Sequence, residues 1–304
     1  MGIRVLKGGM MTTVQDLGRT GYQSQGFSVS GVMDVRSFKI ANLLLDNPEN
    51  EAVLEFTLIG PTLEFTSETI ISITGGDFRP QINGKPAKMY TAIYMHRGDI
   101  LTFGGARTGT RGYIAFSSYL DVPVVMGSRS TNIKCQIGGY KGRKLEDEDY
   151  IAFRAKRRYL PYYLSRSLDL DEFDQEKITL RVVMGPQEKM FTKEGRETFL
   201  NSEYTVTSEF DRMGCRLEGP FIAYKTTSDI ISDGIAFGSV QVPSHGKPII
   251  LLADRQTTGG YAKIATVVSV DIPKLVQRKT EQKVRFQAVS VEEAQKLLAD
   301  EMKE

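Results

Sequence analysis

SVQVPSHGKPIILLADRQTTGGYAKI (239–264) holds, in one run, the pattern that decides the fold. Two short stretches of β-branched and aliphatic residues flank the turn PSHGKP. The second, PIILLA (248–253), passes directly into Asp254, Arg255, Gln256, Thr257 and Thr258 before Gly259 and Gly260. Short apolar runs bounded by Pro, Gly and Asn or Asp are the signature of strands in a sandwich or barrel. Polar groups packed that densely after a buried strand need partners, either in a second structural unit or in a cleft. If the polar stretch is extended, alternation directs Asp254, Gln256 and Thr258 to one side and Arg255 and Thr257 to the other.

The same pattern recurs along the chain. IISIT (70–74), ILTF (100–103), YIAF (113–116 and 150–153), ITLRVVM (178–184) and TVVSVDI (266–272) all read as strands. Helices are few. Asp34 to Asp46 sets Val35, Phe38, Ala41 and Leu45 on one face with Asp34 as N-cap. Pro186 to Leu200 has helical character that Gly195 is expected to break. VEEAQKLLADEM follows Ser290, with Glu293 completing a capping box, and its stripe of Val291, Ala294, Leu297 and Leu298 is expected to dock on the body. The expectation is therefore a mainly β protein with a few helices.

The segment around 155–178 shifts to charge and aromatics without a strand period, which divides the chain into an N-terminal β lobe (1–160) and a C-terminal β lobe with a terminal helix (161–304). Faint echoes across that division favour two similar lobes. GPTLEFTSETIIS (60–72) resembles GPFIAYKTTSDIIS (219–232), and TGTRGYIAF (108–116) loosely matches QTTGGYAKI (256–264). HRGDILTF (96–103) and DEDYIAF (147–153) both set acidic turn residues before a strand.

Composition narrows the chemistry. The chain has 304 residues, 40% hydrophobic and 25% charged, the balance of a globular protein with a sizeable core. Its 39 Lys and Arg against 37 Asp and Glu, with basic runs only at Lys141–Lys144 and Lys156–Arg158, give no footprint for nucleic acid. No stretch reaches the roughly 18 apolar residues of a membrane span. The N-terminal MGIRVLKGGMMTTVQDLG lacks an apolar signal core, so a cytoplasmic protein is expected. Two histidines, His96 and His245, argue against a zinc site, and no metal is expected. Cys135 and Cys215 read as reduced structural residues. Neither a G-x-x-x-x-G-K-[ST] phosphate loop nor a G-x-S-x-G elbow is present.

Four polar constellations remain. Gln15, Asp16 and Arg19 lie among glycines in TVQDLGRTGYQSQG, where backbone approaches a ligand closely and Arg offers a planar fork. Alone, they read first as a satisfied turn with a solvated salt bridge. Ser128 and Arg129 stand in MGSRST, a carboxylate cradle or an ordinary turn. Asp211 and Arg212 precede a glycine in SEFDRMG. In DRQTTGGY, Arg255, Gln256 and Thr258 are candidates to line a cleft, with Asp254 orienting Arg212 or Arg255 rather than acting as a base.

Taken together, TVQDLGRTGYQ, SGVMD, GPTLEF, DVPVVMGSRST, GGYKGR, LRVVMGPQ, DRMGCRLEGP, SVQVPSHGKPIILLADRQTTGGYAKI and VRFQAVSVEEA resemble the 5-oxoprolinase C-subunit family, whose members are also called KipA-type proteins and allophanate hydrolase subunit 2. The chain departs from the family in SEFDRMG and at His245, where Asp is common. The resemblance implies two cyclophilin-like β-barrel lobes. It also implies one component of an ATP-dependent enzyme that opens 5-oxo-L-proline to L-glutamate. The partners so implied are a KipI-like B subunit with a LamB/YcsF-like A subunit. On that reading the catalytic group is Arg255, Gln256, Thr258 and Asp254, and the substrate-binding group is Gln15, Asp16, Arg19, Ser128, Arg129 and Arg212. ATP is used by the assembled complex, with none assigned to this chain alone. Related members imply two alternatives: a carboxyltransferase lobe of a biotin-dependent urea or amide carboxylase, and a regulator binding a KipI-like kinase inhibitor.

Overall fold

A computed structural model describes residues 1–156, 160–168, 173–301 and 303. Of the segments singled out above, Arg157, Arg158, part of the linker and Met302 lie outside the described residues. The chain forms two compact units: Met1–Thr20 with Ser30–Asp174, and Gly21–Val29 with Gln175–Glu304. The division falls at Asp174/Gln175, in the linker segment expected to hold it at 160/161. A short loop from the N-terminal region also belongs to the second unit.

The first unit holds strands β1 (Gly2–Lys7), β2 (Met11–Gln15), β3 (Val53–Thr57), β4 (Thr62–Phe65), β5 (Thr69–Asp77), β6 (Gln81–Ile82), β7 (Lys85–Pro86), β8 (Ala92–Met95), β9 (Ile100–Thr102), β10 (Thr108–Phe116) and β11 (Tyr150–Ala152), with helix α1 (Val35–Leu44). They form a six-stranded sheet, β11-β1-β4-β9-β6-β7, and a five-stranded sheet, β2-β3-β10-β5-β8. Among the described residues, hydrogen bonding does not close these sheets into one barrel. The chain crosses between sheets at Gly8–Gly9 and at Leu58–Pro61. Gly9 has φ +72°, and a Cβ there would come within 2.6 Å of the Ile59 carbonyl oxygen. Glycine at this position lets the two corners pack closely.

Period-2 alternation explains why YIAF is apolar throughout. Ile114 and Phe116 of β10 join the core between the sheets with Ile3, Val5, Leu63, Phe65 and Ile73. Tyr113 and Ala115 face the opposite way, into a second core with Phe38, Ala41 and Leu45. Both faces of β10 are buried, so hydrophobicity is continuous rather than alternating. Asp34 caps α1 as expected, accepting from Ser37 N at 2.9 Å and from its hydroxyl at 2.7 Å. Its own backbone N–H donates to the Tyr113 hydroxyl, which donates to Glu55. The SGVMD motif is thus tied into buried structure.

The second unit holds β12 (Lys177–Met184), helix α2 (Lys193–Asn201), β13 (Tyr204–Phe210), β14 (Gly214–Glu218), β15 (Asp229–Gly234), β16 (Ser239–Gln241), β17 (Ile249–Leu251), β18 (Thr258–Tyr261), β19 (Lys263–Val267), α3 (Ile272–Val276), β20 (Lys283–Ala288) and α4 (Val291–Glu301). Here a barrel does close, in the order β12-β19-β16-β17-β14-β13-β20. The closing pair is parallel, Ile178 opposite Val284 and Leu180 opposite Phe286. Strands β15 and β18 stand apart as a two-stranded ribbon.

Three local expectations change, and a fourth holds in part. Gly195 does not break its helix. It is the third residue of α2, its N–H donates to the Thr192 cap at 2.9 Å, and a Cβ there would meet the Ala223 oxygen at 2.3 Å. TVVSVDI is strand only to Val267, because Ser269–Asp271 turn into α3 with Pro273 in its first turn. The Ser290–Glu293 capping box forms reciprocally, at 2.8 and 3.1 Å, and α4 docks only lightly: it lies against Ser269–Asp271 with Ala294 and Leu297 half-buried and no residue fully buried. The IIS echo also fails in environment: Ile70 and Ile71 are buried in β5, whereas Ile231 is 95% exposed on the ribbon. Both cysteines are reduced thiols, Cys215 buried in β14 and Cys135 exposed.

Asp271 in the second unit and Asp149 in the first are buried carboxylates clamped by arginine. Asp271 accepts from Arg181 Nε at 2.8 Å, Nη2 at 2.6 Å and N at 2.9 Å, and from Lys274 at 2.8 Å. Asp149 takes both guanidinium nitrogens of Arg143, at 2.6 and 2.7 Å. Burial opposes the charge in each case, but the donated hydrogen bonds prevail and hold both carboxyls below the usual range. A carboxyl with depressed folded pKa stabilises the fold above its ordinary value and loses that contribution as pH falls through the folded value. Acid unfolding is expected to set in below about pH 4. Asp271→Asn should flatten the acid limb of a melting-temperature profile and lower the plateau at neutral pH.

Candidate functional site

The four sequence constellations resolve into two clusters, one in each unit. In the first unit, Gln15 closes β2 and Asp16 follows it into a loop. Asp16 Oδ1 accepts from the Ser128 hydroxyl at 2.6 Å, the Ser130 hydroxyl at 2.5 Å and Gly18 N at 2.8 Å. Its Oδ2 accepts from Arg129 N at 2.6 Å. One carboxylate therefore gathers TVQDLG and MGSRST. Arg19, 1% exposed, donates through Nη2 to the Ser130 carbonyl. Gly138 of GGYKGR lies close enough that a Cβ there would reach 2.6 Å from Arg19 Nη2. Gln15 donates to Thr13 Oγ1 at 3.0 Å and to the Thr131 carbonyl at 3.2 Å, while its buried Oε1 accepts no hydrogen bond among the described residues. Arg129 is half-buried, with a buried Nε that donates to none of them. The carboxylate of Asp16 is committed to the protein, whereas Gln15 and Arg129 keep polar atoms to spare.

In the second unit, the polar run after PIILLA is a turn rather than a strand. Strand β17 ends at Leu251, Arg255 N donates to the Leu252 carbonyl at 3.2 Å, and pairing resumes at Thr258. Asp254 accepts from Arg212 Nε at 2.9 Å and Nη2 at 3.4 Å, with both side chains nearly buried. The adjacent residues in SEFDRMG divide their roles, since Asp211 instead accepts from Met213 N and Gly214 N in its own turn. Arg255 is buried, giving Nε to the Ile235 carbonyl at 3.0 Å and Nη1 to the Leu252 carbonyl at 3.2 Å. Phe237 lies against its guanidinium, 5.6 Å from ring centroid to Cζ. Burial lowers the pKa of Arg255. Ser28, from the loop contributed by the N-terminal region, donates to the Arg255 carbonyl at 2.7 Å. Gln256 and Thr258 are exposed.

Arg255→Lys removes the fork that holds two carbonyls at once, a loss of about 1–2 kcal/mol. The expected consequence is a melting temperature lower by roughly 3–6 °C, at about 2–4 °C per kcal/mol for a unit of this size. An unchanged midpoint by scanning calorimetry would show that the fork does not hold the turn.

Sequence reasoning missed Gln187, Asp233, Gln241 and Lys263, which meet beside the ribbon. Lys263 Nζ donates to Asp233 Oδ2 at 2.9 Å, and Gln187 Oε1 accepts from Lys263 N at 3.1 Å. The available signal was position: Gln187 follows a strand in MGPQ, and Lys263 follows the ribbon in GGYAK.

Residues 25–288 match the carboxyltransferase domain, subdomain A and B. The chain is 33% identical to the C subunit of 5-oxoprolinase from Escherichia coli strain K12, an alignment covering 99% of this chain and 96% of that protein. Identity to the corresponding 5-oxoprolinase C subunit from Haemophilus influenzae is 34%, covering 94% and 90%. The crystal structure of Kluyveromyces lactis urea carboxylase superposes with a TM-score of 0.91 at 29% identity, over 99% of this chain. The chain spans 28% of that urea carboxylase. Among the described residues, no helix is long and apolar enough to cross a membrane.

Proposed function

The chain belongs to the carboxyltransferase-domain family, and on that premise we propose that it works as the C subunit of an ATP-dependent 5-oxoprolinase, opening 5-oxo-L-proline to L-glutamate. The observation that carries this reading is the near end-to-end match to two proteins named as that subunit, covering 96% and 90% of their lengths. The partners are a KipI-like B subunit with a LamB/YcsF-like A subunit. ATP is a substrate of the assembly.

The chemistry fits such a division of labour. A lactam resists water because amide resonance makes its carbonyl a poor electrophile. Phosphorylation of the carbonyl oxygen by ATP, with ADP released, would make the carbon electrophilic. Water then adds, the C–N bond breaks as the amine takes a proton, and the acyl phosphate so formed is hydrolysed to carboxylate and phosphate. This chain has no phosphate-loop sequence, and it offers hydrogen-bond donors suited to holding a small carboxylate and polarising a carbonyl. Arg212, fixed by Asp254, and the exposed Gln256 and Thr258 are the groups assigned to that task in the second unit. Gln15 and Arg129 take it in the first, on the frame that Asp16, Ser128 and Arg19 build.

The structural likeness to urea carboxylase favours one second reading, a carboxyltransferase lobe acting on carboxybiotin and a urea-like amide. Substrate choice by the reconstituted complex separates the two. Consumption of 5-oxo-L-proline with ATP, and no carboxylation of urea by biotin-dependent partners, is the expected result. The reverse pattern would replace the first reading with the second.

A further inference from the structure

Lys263 opens β19 with its side chain only 5% exposed, yet the anion it meets is largely in water: Asp233, on β15, is 54% exposed. An ammonium has three N–H donors. Among the described residues, Lys263 Nζ uses one of them, on Asp233 Oδ2 at 2.9 Å. Gln187 aims at the same oxygen, its Nε2 at 3.4 Å, and is steadied by accepting from Lys263 N. The cation and the amide are thus fixed parts of the barrel unit, converging on one carboxylate position.

The carboxylate that fills the position belongs to the exposed ribbon, and its other oxygen accepts from Gly234 N at 2.8 Å. Asp233 sits in the isolated ribbon, where β15 buries almost nothing, so displacing it sacrifices little packing. The bond from Lys263 holds its carboxyl below the usual range. Behind the ribbon, Gln241 is 5% exposed, and its Nε2 donates to the Tyr261 carbonyl at 3.4 Å. A Cβ on Gly259 would come within 2.8 Å of that nitrogen, so the first glycine of the Gly-Gly pair leaves room for Gln241.

We propose that Lys263 and Gln187 form a carboxylate-binding site in which Asp233 is a built-in occupant, displaced by a small monocarboxylate ligand. Naming that ligand as 5-oxo-L-proline rests on the functional reading above; the site itself does not.

The test is calorimetric titration of the full chain with 5-oxo-L-proline, acetate and the neutral lactam 2-pyrrolidinone. Asp233→Asn removes a competing anion from a surface position and leaves the barrel intact. It is expected to tighten binding of 5-oxo-L-proline and acetate about tenfold, and to leave 2-pyrrolidinone unchanged. Adding Lys263→Gln to that variant should abolish the gain. The proposal is overturned if Asp233→Asn binds carboxylates no tighter than the parent chain, if 2-pyrrolidinone gains equally, or if the double variant keeps the gain. Because Asp233→Asn alone decides the first two outcomes, misfolding of the lysine variant does not rescue the idea. Acetate following the expected pattern while the assembled complex ignores 5-oxo-L-proline would keep the site and sink the functional reading. Turnover of 5-oxo-L-proline with KM unmoved by either substitution would do the opposite.

Discussion

Asp16→Ala is expected to lower the unfolding midpoint by roughly 10 °C, the combined effect of about 3–5 kcal/mol at 2–4 °C per kcal/mol. The magnitude follows from what the carboxylate holds. Removing it leaves the hydroxyls of Ser128 and Ser130 and the backbone N–H groups of Gly18 and Arg129 without their acceptor. Buried donors left unmade cost more than the net worth of the bonds that satisfied them. Asp16→Asn should fall between, because the amide oxygen replaces one acceptor while its NH2 confronts a donor. The substitution also frees Ser130, whose carbonyl receives Arg19, so activity of the assembled enzyme should drop along with stability. A thermal scan of Asp16→Ala that overlays the parent chain would mean that the two loops are held together by other contacts.

Strand positions were largely legible because β-branched runs bounded by turn residues report local conformation. YIAF at 113–116 and ITLRVVM at 178–184 became β10 and most of β12. Burial was less legible. The letters IIS at 70–72 and 230–232 are identical, yet one set sits in a sheet between two cores and the other on an open ribbon. Nothing local separates them, since burial depends on which other segments arrive. The same limit hid α3: β19 ends at Val267, and Asp271, in the turn that leads into α3, is held by Arg181 from far earlier in the sequence.

The candidate site shows the same division. TVQDLGR, MGSRST and DRQTTGGY stand out as dense polar clusters, and Asp254 does meet Arg212. That one aspartate gathers the first two motifs depends on a contact spanning 112 residues. Lys263 was passed over because a single lysine after Gly-Gly-Tyr-Ala reads as a solvated charge. Its burial is set by the barrel, and its counterion lies 30 residues earlier.

The second large effect concerns assembly, and it bears on the central claim. A chain that, as proposed, contributes binding and polarising groups to a larger assembly, and whose sequence has no phosphate loop, should do nothing alone. The deciding measurement is glutamate and ADP formation from 5-oxo-L-proline and ATP, first with the purified chain and then with the proposed KipI-like and LamB/YcsF-like partners added. The account predicts no turnover above background by the chain alone. It predicts full activity with all three, falling by roughly a hundredfold or more when this chain is left out, the scale of losing transition-state donors. Turnover by the isolated chain, or equal turnover by the two partners without it, would contradict the account.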